Sequence, residues 1–178
     1  MVNYDFGQSF RAIYLKAVDL YGQNQRGADT FFREEELAFL NANGITAQHL
    51  YDYAEDHSNY DEPGFEIALG IEMVRRDYFL NVQDGERLGK TANPEHWPAK
   101  SETVKGMVWL PRIIPKARAK LRGELPDSVM YCCGGDRQFF KISDIHPAEF
   151  LALVWRMGDN DKAIIDWVEN RSAAQQSA

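Results

Sequence analysis

The sequence predicts an all-α protein: a tandem pair of related helical units, about four helices each, packed as one pseudo-symmetric domain with at most a very short extended pairing. Three observations lead there. Apolar residues recur at three-and-four spacing through most of the 178 residues, as in helices that bury one face. Phe10, Ile13, Tyr14, Lys16 and Ala17 return as Leu110, Ile113, Ile114, Lys116 and Ala117, an offset of 100 that also pairs Ile45 with Ile145, Leu50 with Phe150 and Asp61 with Asp161. The order of elements repeats too: a long helix, a short apolar helix ending in Phe, an Ile-containing turn, then an amphipathic pair. The expected organisation is an N-terminal unit over 1–80, a connector over 81–106, a C-terminal unit over 107–172 and a frayed tail over 173–178.

In the first unit, Ser9 reads as the cap of a helix that Gly22 stops, with Phe10, Ile13, Tyr14 and Ala17 on its buried face. Thr30 reads as the start of a second helix. Glu34, Glu35 and Glu36 lie in or near its first turn, where carboxylates favour the positive end of the helix dipole, and Asn43-Gly44 is a left-handed stop. Thr46 caps a third helix to about His57, burying Leu50, Tyr53 and Ala54. After the break at Pro63-Gly64 a fourth, to about Leu80, buries Ile67, Ala68, Ile71, Val74, Tyr78 and Phe79.

The connector has little periodicity and is long enough to act as a strap. The second unit opens at Trp109-Leu110-Pro111, with Pro111 or Pro115 near the start of a helix that Gly123 ends. Ser128 to Tyr131 reads as a short extended piece. Gly134-Gly135-Asp136 leads into another helix, His146-Pro147 opens the next, and Asp159 caps the last. Trp155 and Trp167 fall on apolar stripes and are expected in the core.

The composition excludes several functions. No apolar run approaches the ~20 residues that span a bilayer, so no membrane segment is expected. The net charge is -7, unevenly shared: residues 1–100 carry -8 and residues 101–178 carry +1. An acidic total argues against nucleic-acid binding, which needs a positive field to recruit phosphates. Complementary charge on the halves favours their docking on each other. The neighbours Cys132 and Cys133 are the only cysteines, so no disulfide framework is expected, in keeping with a reducing compartment. Met1 to Phe6 lacks the basic and apolar regions of a secretory signal, and a cytoplasmic location is expected.

Three constellations are candidates for chemistry. Arg112 and Lys116, with Arg137 and the backbone of Gly134-Gly135 before a helix start, would hold a phosphate or carboxylate. The bland alternative is a set of solvated helix-surface cations. Cys132 and Cys133, ahead of a helix N-terminus, would have a stabilised thiolate suited to nucleophilic or redox work. Against that stand the missing C-x-x-C spacing and the core packing that Met130-Tyr131-Cys132 suggests. His49, Asp52 and Asp56 share one helix face, which Glu66 or Glu72 on the next helix would complete as a metal site. Acidic helix faces are more often simply wet, and no H-x-x-x-H or E-x-x-H spacing is present. Trp97, in the connector, either plugs it onto the body or lines a pocket between the units.

The run from Trp109 to Gly123, WLPRIIPKARAKLRG, resembles the signature of a bacterial family, domain of unknown function 5069. Tyr131-Cys132-Cys133-Gly134-Gly135-Asp136 and Pro147-Ala148-Glu149-Phe150-Leu151 follow in the family's order. The resemblance covers roughly 107–170; the first half is similar only to the family's longer, two-unit members. It implies a soluble bacterial setting and brings no activity, cofactor or catalytic residue with it. The expected function is a small binding or interaction module that recognises an anionic small molecule or an acidic protein segment at the seam between units. A metal- or thiol-dependent enzyme is the alternative class, and a structural homo-oligomer the third. The sequence leaves cofactors and oligomeric state open.

Overall fold

Helical periodicity becomes helix almost throughout. The structure, a computed structural model, describes residues 4–175, with side chains to 172. Among the described residues are eight α-helices: α1 (Phe6–Gly22), α2 (Glu34–Ala42), α3 (Ala47–Tyr60), α4 (Phe65–Asn81), α5 (Leu110–Arg122), α6 (Gly134–Ser143), α7 (Pro147–Met157) and α8 (Asp161–Gln175). A two-stranded antiparallel hairpin, β1 (Thr103–Val104) and β2 (Met107–Val108), precedes α5. The chain divides into two compact units, Met1–Arg87 and Leu88–Ala178. No described helix is long and apolar enough to cross a membrane.

In the first unit α1 packs chiefly on α3. Phe10, Ile13 and Ala17 of α1 are buried, as are Leu50, Tyr53 and Ala54 of α3, and the Tyr14 hydroxyl donates to the Pro63 carbonyl at 2.9 Å. The α1 start lies one turn earlier than the expected Ser9 cap. Phe6 is buried and stacks on both Phe10 and Phe39, and holding that ring in the core extends the helix backwards. Thr30 does not open α2. Its hydroxyl is used on the Gly27 carbonyl at 2.8 Å, closing a short 3-10 turn, and α2 starts behind Arg33, whose amide donates to Glu36 Oε2 at 2.7 Å. Gly44 ends α2 with φ +71°, and a Cβ there would fall 2.5 Å from the Phe79 ring, so both conformation and space demand glycine.

The α4 stripe differs from the expected one. Ala68, Ile71 and Phe79 are buried, but Ile67, Val74 and Tyr78 are only half-buried, and Glu72 and Arg75 go fully inside instead. Glu72 is drawn in by polar partners, as the Tyr53 hydroxyl donates to its Oε1 at 2.8 Å.

In the second unit α5 packs on α7, and α8 contacts both α6 and α7. Pro111 sits in the first turn of α5 and Pro115 inside the helix. The extended pairing is not at Ser128–Tyr131, which is turn and irregular backbone, but at the β1–β2 hairpin. Its two-residue loop, Lys105 (φ +50°) and Gly106 (φ +76°), has the double left-handed backbone that a tight hairpin needs. The α8 cap is Asn160, whose side chain accepts from the Ala163 amide at 3.1 Å. Asp159 instead faces Arg122 at 3.6 Å. Trp155 and Trp167 are half-buried rather than core. Of the expected 173–178 tail, residues to Gln175 continue α8 and 176–178 lie outside the described residues.

The units share local devices at the 100-residue offset. The Ile45 amide donates to the Leu40 carbonyl at 2.9 Å, and the Ile145 amide to the Phe140 carbonyl at 3.0 Å. Lys16 pairs with Glu36, and Lys116 with Asp136.

Candidate functional site

The second unit is organised around Asp136, the third residue of α6 and wholly buried. Its Oδ2 accepts from Lys116 Nζ at 2.6 Å and from the Cys132 amide at 2.8 Å; its Oδ1 accepts from the Trp109 indole at 2.9 Å. A carboxylate in the first turn of a helix also faces the positive end of the dipole. Every contact compensates the desolvation of a buried charge, as such a charge requires. Arg137 closes the turn from the other side, donating from Nη1 to the Cys132 carbonyl at 2.8 Å. Together they hold Cys132 at φ +73°, a conformation rare for a side-chain-bearing residue.

The residues expected to grip an external anion are thus placed as follows. Lys116 is 5% exposed and faces an internal anion, Asp136. Arg137 is buried against Cys132. Arg112 donates to the Pro98 carbonyl at 2.8 Å and lies 5.5 Å from the Trp97 ring, pinning the connector to α5. Arg118, also on α5, donates to the Gly158 carbonyl and pairs with Asp161. Gly134 and Gly135 start α6, but Gly135 has a packing reason: a Cβ there would meet Trp109 Cζ2 at 2.5 Å.

The two cysteines have different surroundings. Cys132 is fully buried, and burial together with the charge of Asp136 pushes its thiol well above the ordinary range. Cys133 is half-buried at the α6 N-cap, with its Sγ 3.2 Å from Lys116 Nζ.

In the first unit, Glu72 does face His49 across α3 and α4, with Oε1 3.5 Å from Nδ1. Asp52 instead accepts from Gln48 at 2.7 Å. His49, Asp52 and Asp56 do not come together as ligands, and no group of three His, Cys, Asp or Glu suited to a metal exists among the described residues. Arg75, which the sequence did not single out, is 1% exposed near Glu72, and burial lowers its pKa to about 10 despite the opposing pull of Glu72.

The second unit also contains a cavity of about 630 Å³. Its roof is the hairpin, Lys105 to Val108, running into Trp109. One face of α6 forms a wall: Gly135, Gln138, Phe139, Ile142 and Ser143 follow at three-and-four spacing. Glu169 and Ser172, three apart on α8, complete it. Lys105 Nζ ties the roof to α8, lying 2.7 Å from Asp166 and 2.5 Å from Glu169. Trp109 carries φ +75°. That backbone is costly for a bulky residue, and the indole bond to Asp136 and the contact with Gly135 hold it there. Sequence reading missed this cavity because hairpin, α6 and α8 meet only in the folded unit; the Gly-Gly pair was the one local trace of it.

Residues 97–178 match the family model described as Domain of unknown function (DUF5069). That stretch holds the whole cavity and the Asp136 network, and it bears out the resemblance carried by Trp109–Gly123. No curated protein and no solved structure is significantly similar to the chain.

Proposed function

We propose that the protein is a small-molecule-binding module whose ligand sits in the cavity beneath the hairpin of the second unit. The observation that carries this reading is the cavity itself. At about 630 Å³ it falls within the ~300–1,000 Å³ of ordinary ligand sites, with apolar walls and a few polar groups. A strained Trp109 backbone on its edge adds support, since such strain collects at ligand sites. Recognition of an anion by Arg112, Lys116 and Arg137 fits less well, because each already has an acceptor inside the unit. The shared devices of the two units, above all the Lys16–Glu36 and Lys116–Asp136 pairs, favour their origin by internal duplication.

The test is a thermal-shift panel of neutral and charged metabolites on the intact chain and on Ile142→Trp. Ile142 lines the cavity and is 73% exposed, so a larger ring there fills the mouth without disturbing the core. A ligand at a hundredfold excess over its Kd adds about 2.7 kcal/mol to the folded state. Stabilisation of the wild type that Ile142→Trp loses supports the cavity; compounds that stabilise both proteins equally contradict it.

A further inference from the structure

We infer that the ligand is an uncharged, mainly apolar molecule whose hydroxyl, carbonyl or amide group meets Ser143. This rests on the cavity being the ligand site. The polar inventory of the lining leads to the ligand's class. Among the described residues of the lining, the one cation, Lys105, is shared between Asp166 and Glu169, and the one carboxylate, Glu169, is held by that same ammonium. The Trp109 indole N–H is already given to Asp136. The two charges on the wall therefore cancel, and an anion entering would lose its hydration without gaining a free counter-charge.

What remains for a ligand is neutral. Ser143 is 4% exposed and lines the cavity, where its hydroxyl can both donate to and accept from a ligand group. A nearly buried hydroxyl on a largely apolar lining is the kind of polar group that fixes the orientation of a small ligand. Gln138 and Ser172 offer a further amide and hydroxyl. The rest is apolar: Met107, Phe139 and the ring of Trp109 inside, with Val108 and Ile142 at 53% and 73% exposure on the lining. Those two exposed side chains have reason to be apolar if an apolar molecule passes or covers them.

The experiment is calorimetric titration of the intact chain with four probes that share one tail: decanol, decanamide, decanoate and decylammonium. The expected result is that decanol and decanamide bind, with decanoate and decylammonium at least about tenfold weaker. Ser143→Ala is expected to weaken decanol about tenfold, the size of one lost hydrogen bond, while Ser143→Thr, which keeps the hydroxyl, restores most of it. Decanoate binding tightest, and losing its advantage in Lys105→Ala, overturns the neutral class while leaving the cavity as the site. An unchanged decanol Kd in Ser143→Ala overturns the role given to Ser143. If none of the four binds, the cavity reading falls as well.

Discussion

Lys116 Nζ lies 2.6 Å from Asp136 Oδ2, with side chains only 6% and 0% exposed. One hundred residues earlier, Lys16 meets Glu36 in the same sequence relation, but at 30% and 26% exposure. The geometry is shared and the solvent is not. Removing one partner of a buried pair leaves an uncompensated charge, whereas an exposed pair is replaced by water. Asp136→Ala should therefore cost about 3–5 kcal/mol, and Glu36→Ala no more than about 1 kcal/mol for the ion pair itself. Urea unfolding of the two variants measures the difference directly. Equal losses would show that burial is not what separates the pairs.

The Trp109 indole leaves no room for a side chain at Gly135. A methyl group 2.5 Å from the indole forces the ring or the start of α6 to shift. Gly135→Ala should destabilise by about 1–3 kcal/mol, the usual cost of overpacking. Gly134→Ala, whose Cβ would meet nothing closer than Arg137 at 3.8 Å, should cost much less. Thermal melts of the two variants give the comparison.

Acid should release the roof of the cavity. Hydrogen bonds from Lys105 and then Lys162 pull the Asp166 carboxyl down to about 2 from an ordinary 3.8. A lowered carboxyl pKa stabilises the fold above the ordinary value, and that contribution is lost as pH falls through the folded one. The Lys105–Asp166 link should accordingly hold at neutral pH and open between about pH 4 and pH 2. Carboxyl NMR should find Asp166 titrating near 2, and moving towards 3.8 in Lys105→Ala.

The helices were legible because their cause is local. Periodic apolar residues gave α1, α3, α5 and α7, and Asn43-Gly44 gave the α2 stop. Three starts were misplaced where something distant decided them: Phe6 stacking on Phe39, the Thr30 hydroxyl spent on Gly27, and Asp159 turned towards Arg122. Glu72 and Arg75 break the apolar stripe of α4 because burial there follows Tyr53 and the folded surroundings, not the helix's own pattern. By spacing alone, the cations of α5 predict a surface that would hold an anion. Their acceptors, Pro98, Asp136 and Gly158, lie 14, 20 and 40 residues away, beyond the reach of any local spacing rule. The same holds for the cavity, whose roof and far wall are separated by most of the second unit.

The most direct measurement is a titration of the intact, isotope-labelled protein with decanol, following amide and indole N–H resonances. The cavity account predicts saturable shifts at Trp109, Gln138, Ser143 and Ser172, with the α3 residues Leu50 and Tyr53 unmoved. Shifts that never saturate, or that gather outside the hairpin, α6 and α8, would contradict it.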